Sequence, residues 1–171
     1  MPKPNLQSTP SFYHRYVQLI EEDNAVDGLK SNTAKLQAVL QSIPDNKWDF
    51  RYADGKWNIK EMVQHMTDAE RIFCYRALCI ARGETQSLPG FDENAYADAS
   101  NASARGQEEL KEELAVVRKA TELLFHSFSE EQINRSGIAN HNPITVNAIG
   151  FIIAGHAMHH LNILKERYLN A

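Results

Sequence analysis

Apolar residues recur along this chain at intervals of three and four, the period of a helix that buries one face. The first run carries Phe12, Tyr16, Leu19 and Ile20 behind Thr9 and Pro10, a pair suited to opening a helix. Asp23 and Asn24 interrupt it. A second run over about residues 25 to 42 repeats Val26, Leu29, Thr33, Leu36, Val39 and Leu40, with Ile43 beyond. Pro44, which lacks an amide hydrogen, stops it. A third begins at Asn58-Ile59-Lys60-Glu61, a capping-box pattern, and runs to about Arg82, where Gly83 ends it. A fourth occupies about residues 106 to 127, with Glu108 and Glu109 favourably placed at the positive end of the helix dipole. Its apolar stripe reads Leu110, Leu114, Val117, Leu124 and Phe128, and its many charges read as a solvated outer face. The last helix starts near Thr145, a plausible N-cap, and continues to about Leu169.

No segment shows sustained strand alternation. The pattern therefore predicts an all-α fold, a four-helix bundle with an extra N-terminal helical segment, in a single domain over residues 1–171. The connection from Glu84 to about Arg105 is long for a bundle. That makes Leu88-Pro89-Gly90-Phe91-Asp92-Glu93 a candidate lid or pocket wall.

Composition narrows the function classes. A chain of 171 residues, 43% hydrophobic and 23% charged, can bury a core without staples. Its 18 basic and 22 acidic residues leave a net charge of -4 with no basic stripe, so no nucleic-acid partner is expected. Met1 to Pro10 is polar and lacks the apolar core of a signal peptide. The longest apolar run, Ile149 to Gly155, is too short to span a bilayer, so a cytoplasmic protein with no membrane association is expected. Cys74 and Cys79 fit neither a CxxC motif nor a zinc knuckle, and five residues set them about 140° apart around a helix. They read as reduced, partly buried thiols.

The histidines carry the candidate chemistry. In the last helix the inward positions are Ile149, Ile153, His156, His160 and then Ile163 or Leu164, the seam of a bundle helix. Residues four apart lie one turn along and about 40° around, so both imidazoles can converge on one point. The helix from Asn58 has inward positions Ile59, Met62, His65 or Met66, Ala69, and Ile72 or Phe73, placing His65 close to its core seam. Three neutral imidazoles buried without partners would cost several kcal/mol at about 1–3 for each unsatisfied group, and a shared cation removes that cost. The competing reading is that each is a hydrogen-bonded packing residue. His159 lies about 100° from His160 and cannot share its seam. His14, His126 and His141 fall near helix ends or in loops and read as surface residues.

Glu61 and Asp68 flank His65 and are candidates to receive the free ring N–H of a metal-bound histidine. Glu61 is also the capping-box partner, and Asp68 can pair with Arg71 or Arg76. The Phe91 to Tyr96 segment and the start of the last helix are expected to shape a pocket.

Four phrases then acquire meaning together: Gly55-Lys56-Trp57-Asn58-Ile59-Lys60-Glu61, His65-Met66-Thr67-Asp68-Ala69-Glu70-Arg71, Leu88-Pro89-Gly90-Phe91-Asp92, and Gly155-His156-Ala157-Met158-His159-His160. In this order, from about residue 25 to the C-terminus, they resemble the DinB-like (YfiT-like) superfamily of metal-dependent enzymes. The resemblance implies a four-helix bundle and a metal triad on His65, His156 and His160. It further implies nickel or zinc as the ion, a homodimer, and a small-molecule substrate, with some members transferring low-molecular-weight thiols. Three histidine ligands leave a coordination position open, the pattern of a catalytic site. The expected function is thus a metal-dependent S-transferase using a small thiol, or a hydrolase. The alternative is a non-catalytic protein whose ion is structural.

Overall fold

The computed structural model describes residues 3–170; Met1 and Pro2, the first residues of the polar N-terminal stretch read above, and Ala171 lie outside them. In chain order the elements are α1 (His14–Gln18), α2 (Ala25–Ser42), α3 (Ile59–Ala81), α4 (Glu93–Ala99), α5 (Gln107–Ser127), α6 (Glu130–Asn134), β1 (Ser136–Ala139), β2 (Asn142–Thr145) and α7 (Val146–Ile163). A π-helical turn, Leu164–Leu169, prolongs α7. The long helices α2, α3, α5 and α7 make the four-helix bundle, as expected. Among the described residues no helix is long and apolar enough to cross a membrane.

Local chemistry sets the helix starts. Asn24, which the periodicity reads only as an interruption, is the N-cap of α2, its side chain accepting from the Asp27 N–H at 2.9 Å. Asn58 and Glu61 form the complete capping box of α3, and Thr145 caps α7 by accepting from the Ala148 N–H at 3.1 Å. Gly83, at φ 92, supplies the left-handed residue beyond α3.

Two regions differ from the sequence reading. The N-terminal segment is a pair of 3-10 turns, Leu6–Ser8 and Ser11–Tyr13, leading into the short α1, not one continuous helix. A β-hairpin, unexpected from the sequence, joins α6 to α7 through Asn140 and His141, both at positive φ, the geometry of a tight two-residue hairpin turn. Leu88 extends this sheet: its N–H donates to the Ile138 carbonyl at 2.9 Å, and its carbonyl accepts from the Asn140 N–H at 2.8 Å. The long connection is therefore pinned to the hairpin and contains α4.

The helix α7 is buried almost all round, with Ile149, Phe151, Ile152, Ala154 and Leu161 inside. Helices α2 and α3 pack on it, and α1 crosses it. At the crossing, a Cβ on Gly155 would lie 2.0 Å from the Tyr16 carbonyl oxygen, so only glycine lets the two backbones touch.

The charges of α5 are not all on an outer face. Arg118 is 1% exposed and occupies the stripe with Leu114, Thr121 and Phe125, while Val117 and Leu124 are only half-buried. Its Nε and Nη2 donate to the Glu70 carboxylate at 2.9 and 2.7 Å, and its Nη1 donates to Asn32 Oδ1 at 3.1 Å. The Thr121 hydroxyl completes the set, donating to Glu70 Oε1 at 2.6 Å. This group ties α2, α3 and α5 together through its paired charges, with Asn32 Nδ2 its one atom left without a partner among the described residues.

Removing one member strands the other. Arg118→Met is expected to destabilise by about 3–5 kcal/mol in a denaturant titration, whereas the double variant Glu70→Leu/Arg118→Met recovers most of that loss. A double variant no better than the single one would show that the pair itself supplies net stability. For Gly155→Ala the expected cost is about 1–3 kcal/mol, read as a Tm lower by about 2–4 °C per kcal/mol. An unchanged Tm would mean that α1 can lift from α7 freely.

Candidate metal centre

The helix α3 delivers His65 and α7 delivers His156 and His160 to one buried point; the three are 8%, 7% and 7% exposed. Their ring centroids are separated by 5.0, 4.9 and 4.5 Å. The Nε2 of His156 sits 3.0 Å from that of His65 and 3.1 Å from that of His160. Nitrogens each about 2.1 Å from a common ion lie roughly 3.0 Å apart at right angles and roughly 3.4 Å apart at the tetrahedral angle. The spacing suits a shared cation, and the three residues form the one group of potential ligands of this kind among the described residues.

Electrostatics point the same way. Burial, with His159 nearby, pushes the His65 imidazole down to about 4. Burial followed by the neighbouring histidines holds His156 well below the ordinary range, and His160 behaves alike. All three rings are thus neutral at pH 7, the form that ligates metal. His160 Nδ1 is buried with no hydrogen-bond partner among the described residues. One His156 Nε2 cannot satisfy two neighbours as well as an ion would, so hydrogen bonding alone leaves this cluster incomplete.

Aromatic rings fix the imidazoles. Trp57, just before the α3 cap, packs against His65 with ring centroids 4.7 Å apart and planes tilted by 40°. Tyr16, brought down by the α1 crossing at Gly155, meets His156 edge-on at 5.5 Å. His159 packs against Tyr16 at 5.5 Å, outside the triad, as the helical angle predicts.

Beside the triad opens a cavity of about 490 Å³ whose walls include Tyr13, Tyr16, Trp57, Phe73, Arg76 and Phe91. Phe91 and Glu93 belong to the expected pocket segment, but exposed Tyr96 only packs on Phe91 at 5.2 Å. The start of α7 does not reach the cavity; the hairpin residue Asn140 takes that place. The N-terminal wall, Trp57 and Arg76 escaped the sequence reading. For Arg76 a signal existed, because His65, Ala69, Phe73 and Arg76 follow steps of four, four and three along one helix face.

The expected carboxylate partners lie elsewhere. Glu61 accepts from Arg51 at 2.6 and 2.7 Å and from the Ser103 hydroxyl at 3.1 Å, besides its capping role. Asp68 accepts from Gln64 at 2.9 Å and lies 3.6 Å from Arg71, not near Arg76. His14 is half-buried, its Nε2 2.8 Å from the Thr9 carbonyl oxygen, while His126 and His141 are exposed as expected. Cys74 is held against Thr121 Oγ1 at 3.1 Å, and burial pushes its thiol up to about 12.

Comparison with known proteins places these features in a family. A proposed metal-dependent hydrolase of Oceanobacillus iheyensis is 24% identical over 138 residues, covering 80% of this chain and 79% of that protein. Another proposed metal-dependent hydrolase, YfiT of Bacillus subtilis, is 25% identical over 159 residues, covering 85% and 83%. The YfiT structure, described as having an unusual four-helix bundle topology, superposes with a TM-score of 0.76 over 98% of this chain and 92% of that one, at 19% identity in the structural alignment. A mycothiol-dependent maleylpyruvate isomerase shares the fold more distantly, with a TM-score of 0.63 and 12% identity over 80% of this chain and 57% of the larger one. The sequence model of the DinB superfamily matches residues 29–164, and this chain belongs to that superfamily.

Proposed function

We propose that His65, His156 and His160 hold one divalent metal ion, and that the protein is a metal-dependent enzyme acting on a small molecule in the adjoining cavity. The observation that carries this reading is the convergence of three neutral, buried Nε2 atoms at the wall of an aromatic-lined space. Imidazole ligands suit zinc and nickel alike. A divalent cation bound there supplies Lewis acidity, lowering the pKa of a water or thiol that joins it. The chain contributes the positioning: two helices fix the ligand nitrogens, while Trp57 and Tyr16 pack against the imidazoles of His65 and His156. Both reactions that fit, hydrolysis and transfer of a low-molecular-weight thiol, need this activation. The names of the relatives support the first, and the thiol-dependent fold neighbour supports the second.

One observation favours a structural ion instead: neither Glu61 nor Asp68 bonds a triad imidazole, and the carboxylate on the cavity wall, Glu93, is exposed at the rim. Removing the metal separates the two readings. Under ours, metal-free protein keeps its far-ultraviolet circular dichroism but loses any conjugation of small thiols to 1-chloro-2,4-dinitrobenzene and any ester hydrolysis. Collapse of helicity on metal removal would support the structural ion.

Elemental analysis of tag-free protein is expected to find about one divalent ion per chain, and none in the His65→Ala/His156→Ala/His160→Ala variant. Each single replacement should weaken metal binding beyond the ~10–100-fold typical of losing an outer partner. Metal persisting in the triple variant would overturn the assignment.

The metal-free protein also has a defined pH response. Unfolded imidazoles titrate near about 6.5, whereas folded His65 titrates at about 4 and its two neighbours below the ordinary range. Between these values the unfolded chain binds more protons, so stability falls as pH drops from about 6.5 towards 4, by up to about 1.4 kcal/mol per pH unit for each group. Thermal melts from pH 7 to 5 should show this decline in wild type and a flatter one in the triple variant. Parallel curves would refute the burial of neutral rings.

A further inference from the structure

We propose that Arg76 is the anchor for a carboxylate on the substrate, placing an acid with a flat apolar body between that guanidinium and the three histidines. The inference rests on the reading that the reaction occurs at the triad.

Arg76 is 4% exposed, yet it makes no ion pair among the described residues. Its Nη2 donates to the Pro89 carbonyl at 2.6 Å, but its buried Nε has no partner. Its partners, the Pro89 carbonyl and the Tyr13 phenol, are both neutral. A buried cation left without a counter-charge is costly. The fully buried Arg118 shows the contrast, since it is neutralised by Glu70 and all three of its nitrogens donate.

The guanidinium borders the cavity. Its planar fork presents parallel donors to a carboxylate, the geometry arginine recognises best. Arg15 and Arg76 line the space against one carboxylate, Glu93, which is exposed at the rim and ion-pairs with neither. The net field at the wall therefore favours an anion.

The ring of Phe73 measures the ligand. It stands 6.2 Å from the His156 ring and 5.7 Å from the Arg76 guanidinium carbon, so one aromatic ring neighbours both ends. Phe91 also approaches the cation, at 5.9 Å, and Tyr13 meets Phe73 edge-on at 5.9 Å. A ligand bridging the ends must bring an apolar or aromatic middle.

The test uses benzoate and its neutral isostere benzamide. Protein stripped with 1,10-phenanthroline and desalted is titrated with each, following the emission change from Trp57 beside the triad, with calorimetry as a second readout. Benzoate should bind at least about 10-fold more tightly than benzamide. Arg76→Gln should remove that preference, and Arg76→Lys should restore part of it. A purely structural strut would leave the benzoate-to-benzamide ratio unchanged in any variant that folds. Equal binding of the two probes by wild-type protein, or an unaltered ratio in Arg76→Gln, overturns the proposal; if Arg76→Gln fails to fold, the wild-type ratio and Arg76→Lys decide. Because the metal is absent throughout, an Arg76-dependent preference in protein that never takes up metal would retain the anchor while refuting the metal reading.

Discussion

Three imidazoles share one desolvated point inside a helical bundle, and the rest of the structure around them answers to that constraint. Each ring is more than nine-tenths buried, and burial holds all three neutral. Neutral rings at 3.0–3.1 Å cannot exhaust one another's hydrogen-bonding capacity, as the partnerless His160 Nδ1 illustrates. Such a cluster persists only where the scaffold supplies enough burial energy to hold it. Here the supply is α7, buried almost all round, gripped by α2 and α3 and crossed by α1 at a glycine.

The buried polar groups sort into two kinds. Glu70, Arg118, Thr121 and Asn32 interlock through charge-assisted bonds and join three helices. Its two charges neutralise each other, although Asn32 Nδ2 lacks a partner among the described residues. The triad and Arg76 are equally deep but incomplete, and both face the same cavity. A charge or a set of metal-ligating atoms left unmatched beside the main cavity, not burial itself, distinguishes the site from the structural network in this molecule.

Much of this was legible in the sequence, for identifiable reasons. His156 and His160 replace apolar residues in a seam of fixed period, so their direction follows from helix geometry. Asn58 and Glu61 announce α3 because capping chemistry is local. Arg118 was misread because a charge in an amphipathic helix looks solvated until its partner, 48 residues away, is known. The hairpin hid for a related reason: Ser136–Ala139 and Asn142–Thr145 are four residues each, too short to display alternation, and Leu88 joins from a distant loop. Tyr16 could be assigned to a helix but not to the metal centre, since its place depends on where α1 crosses α7.

The cavity's own inventory constrains what chemistry the proposed enzyme can perform. Its walls hold no serine, threonine or cysteine among the described residues. Cys74, on the same helix as His65, is turned towards Thr121 with its thiol pushed up to about 12, so it stays protonated and is a poor nucleophile. Tyr13 is no better, because burial raises its phenol despite the opposing Arg76 guanidinium. Neither Cys74 nor Tyr13 is therefore suited to carry a covalent intermediate. Under the proposed reading the nucleophile must arrive from outside, as water or a small thiol. A cavity that binds two guests, one activated at the triad and one held by its acid group, needs both the volume beside the neutral histidines and the separate cation that Arg76 supplies.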